Sequence, residues 1–108
     1  MGYTRHHAIV VTSWNDELIK KASLEARKIF GTEVSRLLKG DVNNFMSFMI
    51  PPDGSKEGWG ESDEGDSRRA KFITWLNDQA YDDGSNALSF CEFFYGDDEG
   101  ESSIENHN

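Results

Sequence analysis

His7-Ala8-Ile9-Val10-Val11-Thr12, running straight into Ser13-Trp14-Asn15-Asp16, is the segment on which the fold turns. The first six residues are rich in β-branched side chains and apolar on both faces, which predicts a central strand. Ser13, followed three positions later by Asp16, matches a capping box, in which a hydroxyl and an acid satisfy free N–H groups at a helix start. Asp16 and Glu17 then fall in the first turn, where carboxylates suit the macrodipole. Leu18, Ile19, Ala22, Ala26, Ile29 and Phe30 recur at spacings of three and four. That stripe predicts a helix over about 15–30, with Lys20, Lys21, Arg27 and Lys28 on its other side and Gly31 as its stop.

Beyond the helix, Glu33 to Lys39 reads equally as a short strand or as one more helical turn. Asn44 to Ile50 (NFMSFMI) predicts a second strand, and Pro51-Pro52-Asp53-Gly54 a turn, because Pro presets φ and Gly admits positive φ. A long loop over Asp53 to Gly65 follows. A second helix opens at Ser62 or Asp63, carries the stripe Phe72, Ile73, Leu76 and Ala80, and ends at Asp83-Gly84-Ser85-Asn86. Asn86 to Tyr95 contains the last strand, with Glu92 between Phe90 and Phe94, so that this face is expected to be lateral or partly solvated. Ser102 to Ile104 can add a strand end. The order predicts an α+β, two-layer sandwich, ferredoxin-like or split β-α-β. Its sheet is antiparallel or mixed, of three to four strands, with two helices on one face.

With 108 residues the chain is long enough for one core and too short for two. Aromatic residues, 12% of the chain, offset an apolar fraction of only 36%. Cys91 has no cysteine to pair with, which suits a reducing cytoplasm. No stretch has the length of a membrane span, and Met1 to His7 lack the apolar core of a signal peptide. From Phe72 to Asn108 there is no Lys or Arg. The acids of that stretch, Asp78, Asp82, Asp83, Glu92, Asp97, Asp98, Glu99, Glu101 and Glu105, equal the whole formal charge of -9. A mobile acidic tail from about Asp97 is expected to close this single domain, 1–108.

Catalytic patterns are scarce. His6 and His7 point to opposite faces of a strand, so they are badly placed to share a metal, and His107 stands far off in the tail. The His-x-Ser or His-x-Thr pairs of a two-histidine phosphoesterase are missing. Aligning Gly100 with the invariant glycine of a calcium loop puts Tyr95 where its first Asp belongs. No phosphate-binding Gly loop, nucleophile elbow or zinc-spaced cysteine pair occurs. The apolar setting of Cys91 argues against a reactive thiol. These absences predict a non-enzymatic protein with no cofactor and no metal. Glu25 interrupts the basic side of the first helix, and the overall negative field repels nucleic acid.

What remains is the acid set, which clusters over Asp53 to Asp66, at Asp82-Asp83 and over Asp97 to Glu105. Net charge keeps small proteins soluble, and that is the ordinary reading. The functional reading is a binding surface for a basic host or phage protein, with Asp97, Asp98, Glu99 and Glu101 supplying the field and Trp59, Trp75 and Tyr95 the anchors. A small anionic ligand gripped by Arg68 and Arg69 at a helix start is the first alternative. A self-associating subunit, a homo-oligomer using an exposed strand edge, is the second.

The segments TRHHAIVVTSW (4–14), PPDGSKEGW (51–59) and SDEGDSRRAKF (62–72) together resemble a small, sparsely characterised family of bacteriophage-encoded accessory proteins, over roughly Tyr3 to Gly100. The resemblance implies an early-type viral protein acting in a bacterial cytoplasm by binding a host component. It supplies no catalytic residues.

Overall fold

The structure, a computed structural model, describes residues 5–56, 58–96 and 100–108. Its elements in chain order are β1 (His6–Ser13), α1 (Asp16–Phe30), a 3-10 turn (Gly31–Glu33), β2 (Leu38–Lys39), β3 (Met46–Ile50), α2 (Gly60–Asp78), β4 (Ser89–Tyr95) and β5 (Ser103–His107). The strands form one open sheet of order β2-β3-β1-β4-β5. Every pairing is antiparallel, and β1 is hydrogen-bonded on both sides, to β3 (Ile9 opposite Ile50) and to β4 (Val11 opposite Phe90). The class is therefore α+β. The sheet has five strands rather than three or four, because residues expected to form a loose tail add an edge strand.

Alternation along β1 divides the sheet into two faces. Ile9 and Val11, with Phe48 and Ile50 of β3 and Phe90 of β4, form one core with Ile19, Ala22 and Ala26 of α1 and Phe72, Ile73 and Leu76 of α2. Both helices thus share one buried cluster with a single sheet face. Phe72 lies at its middle, fully buried, edge-on to Phe30 at 6.0 Å and stacked on Trp75 at 6.1 Å. Burying such a ring contributes about 1.5–3 kcal/mol. The α1 stripe read from spacing is the one that packs. On α2 the stripe stops early: the helix ends at Asp78 and Ala80 is exposed.

Three local readings change. The N-cap of α1 is Asn15, whose Oδ1 accepts from Leu18 N at 3.0 Å. Ser13 is instead a buried connector, accepting from Asn15 N at 3.0 Å and donating to the Ala87 carbonyl at 2.7 Å. Helix α2 starts at Gly60, two residues ahead of Ser62, with Trp59 at its N-cap and no side-chain cap. The ambiguous segment after α1 divides into the 3-10 turn and the two-residue edge strand β2, with Val34 buried between them.

Asp-Gly-Ser occurs twice and folds the same way twice. Asp53 Oδ1 accepts from Ser55 N at 2.9 Å and Oγ at 2.6 Å, and Asp83 does the same with Ser85 at 2.9 and 2.6 Å. The intervening Gly54 and Gly84 have φ of 81° and 88°, a region costly for residues with a Cβ. Among the described residues no helix is long and apolar enough to cross a membrane.

Asn15→Ala removes the α1 cap and is expected to lower stability by about 1 kcal/mol in urea denaturation, whereas Asp16→Ala, without a capping bond, costs a few tenths of that.

Candidate binding surface

Two clefts flank the first half of α2. The first, of about 320 Å³, is lined by Glu33, Asp53, Gly54, Ser55, Trp59, Glu61, Glu64 and Arg68. Four separate pieces of chain build it: the 3-10 turn, the Asp53-Gly54-Ser55 turn, the Trp59 cap and the outer side of α2. Its ionisable lining is four carboxylates against the guanidinium of Arg68, which already lies 3.8 Å from Glu64. Trp59 stands 48% exposed at the rim. The Lys56 ammonium sits 5.7 Å from the centre of that indole, a cation–π placement.

Asp53 stays ionised for a traceable reason. Local packing favours its neutral form and is the largest single influence. The two bonds from Ser55, with the Arg69 guanidinium and His7 nearby, outweigh it and hold the carboxyl below its ordinary value. Gly65 permits this closeness, since a Cβ there would lie 2.9 Å from Asp53 Oδ2 and 3.0 Å from Arg69 Nη1.

The second cleft, of about 340 Å³, is lined by Arg5, His7, Asp66, Arg69, Ala70, Glu92, Phe94, Glu105 and Asn106. Arg69 and Glu92 are both buried, with Arg69 Nε 3.7 Å from Glu92 Oε2 and the other end of the guanidinium on Asp66. Asn106 Nδ2 donates to Glu92 Oε1 at 2.6 Å, and His7 Nδ1 lies 2.9 Å from Glu105 Oε1. A register shift in the β4–β5 ladder delivers this pair. Glu92 opposes Asn106 while Phe93 opposes Ile104, so Glu105 is an extra residue and both Glu105 and Asn106 turn to the helix-bearing face. Charges here are paired within the chain, which makes the second cleft a structural joint.

Of the residues expected to bind, Trp59 comes together with Asp53, Glu61 and Glu64 of the Asp53–Asp66 cluster, whereas Asp66 lines the second cleft. Trp75 does not join them, being half-buried and stacked on Phe72. Tyr95, 40% exposed, lies on the opposite sheet face beside His6, with ring centres 5.3 Å apart. Asp97, Asp98 and Glu99 lie outside the described residues, and Glu101 is exposed just ahead of β5. Arg68 and Arg69 line different clefts, because α2 turns consecutive residues about 100° apart. The sequence reading missed Glu33, which reaches the first cleft only because α1 packs beside α2. It also missed the joint of His7, Glu92, Glu105 and Asn106, for which a lone acid in an aromatic strand was the available signal. Among the described residues no group of three or more His, Cys, Asp or Glu could hold a metal ion.

No protein-family model, curated protein or solved structure matches the chain.

Arg69→Met leaves Glu92 buried beside a neutral chain and is expected to cost about 3–5 kcal/mol, much of it recovered in Arg69→Met/Glu92→Leu. A double-mutant cycle by urea denaturation measures this. Asp53→Ala is expected to cost about 1 kcal/mol at neutral pH through the lost turn bonds. Because the folded-state pKa is depressed, the contribution of the Asp53 charge is present above roughly pH 4 and is lost as pH falls through the folded value, so the gap between variant and parent narrows in acid.

Proposed function

We propose that the chain is a non-enzymatic binding protein, an inhibitor or modulator of phage type that offers an acidic, aromatic-edged cleft to a basic host protein in the bacterial cytoplasm. One observation carries this reading: an exposed Trp59 borders the cleft that holds Glu33, Asp53, Glu61 and Glu64. Lys56 over the indole is an internal example of the cation that Trp59 accepts at the rim of this cleft. A Lys or Arg of a partner replaces it, Trp59 supplies buried area, and the surrounding acids raise the association rate. Asp97, Asp98, Glu99 and Glu101 belong to the proposed field as well, while Trp75 contributes to the core.

The antiparallel order β2-β3-β1-β4, with α1 between β1 and β2 and α2 between β3 and β4, supports a ferredoxin-like arrangement to which β5 is added. The anionic-ligand alternative has less support. Arg68 shares its cleft with four carboxylates, and Arg69 is buried against Asp66 and Glu92.

Capture from bacterial lysate at about 50 and 300 mM salt, with Trp59→Ala/Glu61→Gln/Glu64→Gln as the control bait, tests the proposal. A basic protein should be retained by the parent at low salt, be released at high salt and be lost by the variant. Capture indifferent to salt or to the three substitutions would overturn it.

A further inference from the structure

The sheet face turned away from the helices has the wrong composition for a solvated surface. Ala8 and Val10 of β1, Met49 of β3, and Cys91, Phe93 and Tyr95 of β4 share it, as the pairings of Val10 with Met49 and Cys91 and of Ala8 with Phe93 require. Leu38, opposite Ser47, and Ile104, opposite Phe93, extend it to both edge strands, 48% and 62% exposed. Thr12 and Ser47 hydrogen-bond to each other at one end at 2.8 Å. Among the described strand residues on this face there is no Asp, Glu, Lys or Arg, although such residues make up 29% of the chain, and His6 and His107 are polar members at its margin. An antiparallel sheet with one face in water normally alternates apolar and polar along each strand. Here β1 is apolar on both faces from Ala8 to Val11 and β4 carries Cys91, Phe93 and Tyr95 on its free face, while both α1 and α2 lie on the other side.

We propose that this face is the dimerisation surface for a second copy of the chain, the two sheets packing face to face about a two-fold axis. Charge decides the occupant. A basic partner finds its complement in the carboxylates of the helix side and leaves an uncharged face unmatched. The same neutral apolar face on a second copy matches it, and a two-fold contact needs nothing but self-complementarity. Size is consistent with a reversible dimer. Strands of eight, two, five, seven and five residues, at about 3.4 Å per residue and about 4.8 Å apart, present roughly 450 Å² per copy, so two copies bury roughly 900 Å², the size of a weak, reversible contact. Sheets packed this way lie about 10 Å apart, which seats Phe93, Met49 and Val10 between them.

The net charge of -9 per copy gives the dimer a signature opposite to that of an electrostatic complex. Repulsion between the acidic flanks opposes association, and salt screens it over about 10 Å near 0.1 M, so the dimer strengthens as salt rises. This proposal does not rest on the acidic-cleft reading, whose complex weakens over the same range.

Sedimentation velocity of the full chain, from about 5 to 500 µM and at about 50 and 500 mM salt, is the test. Dimer is expected to grow with concentration and with salt. Ile104→Glu, at a position largely in water in the monomer, places a carboxylate on the face and is expected to weaken association at least tenfold. Leu24→Glu, 63% exposed on the outer side of α1, should leave it unchanged. Far-UV circular dichroism checks that both variants fold. A monomer at every concentration overturns the proposal, as does a dimer that weakens with salt or is indifferent to Ile104→Glu.

Discussion

Glu92 is a carboxylate in the middle of an aromatic strand, and its burial sets conditions that much of the molecule meets. An ion taken out of water costs several kcal/mol unless charge and hydrogen bonds replace its hydration. Arg69 supplies the charge from α2, and Asn106 supplies a hydrogen bond from β5. The first requirement limits how α2 can rotate over the sheet, since only one side of the helix presents Arg69 to β4. That same rotation brings Phe72, Ile73 and Leu76 into the core. The second requirement ties the chain end to the sheet. Asn108 adds to the tie by accepting from Phe90 N at 3.0 Å and donating to the Leu88 carbonyl at 2.7 Å.

The register shift in β5 follows from the same constraint. With Asn106 held opposite Glu92, an unbroken ladder would set Glu105 opposite Phe93 on the apolar face and turn Ile104 to the helix side. The extra residue keeps Glu105 beside Asn106 on the helix side, where His7 is 2.9 Å away. One irregularity therefore serves two ends: it completes the polar joint and it keeps a carboxylate off the uncharged face.

Much of the fold was legible because short-range rules carried it. The period of α1, the β-branched run of β1 and the Asp-Gly-Ser turns all express their structure within a few residues. The failures came where long-range contacts decide. Ser13 has the spacing of a cap, yet the Ala87 carbonyl, 74 positions away, claims its hydroxyl. Residues 103–107 read as a tail with at most a strand end at Ser102 to Ile104, because only Ile104 in Ser-Ile-Glu-Asn-His has strong strand character, and Glu92 and Phe90 hold the segment from outside it. Of the candidate site, Trp59 and its neighbouring acids were visible as a cluster in sequence. Glu33 was not, since a contact between α1 and α2 brings it there. Tyr95 and Trp75 were visible as aromatic residues but not as members of different environments, because alternation and helical phase separate them only once the sheet and α2 are in place.

The distribution of charge between the two sides has a consequence for how the surfaces act together. The acidic cleft and the neutral face lie on opposite sides of the sheet, so a dimer through the latter leaves both copies of the former open. In the proposed dimer, two clefts on one particle would engage a partner that carries repeated basic sites, with an effective concentration set by their separation. Low salt favours the cleft and opposes the dimer, and high salt does the reverse. Avidity is then greatest at intermediate ionic strength, where neither interaction is fully suppressed. A chain with a one-signed surface all round would gain nothing from this arrangement, since its copies would repel wherever they met. In the proposed dimer, a free sheet face without carboxylates is what would let a strongly acidic protein present its acids in pairs.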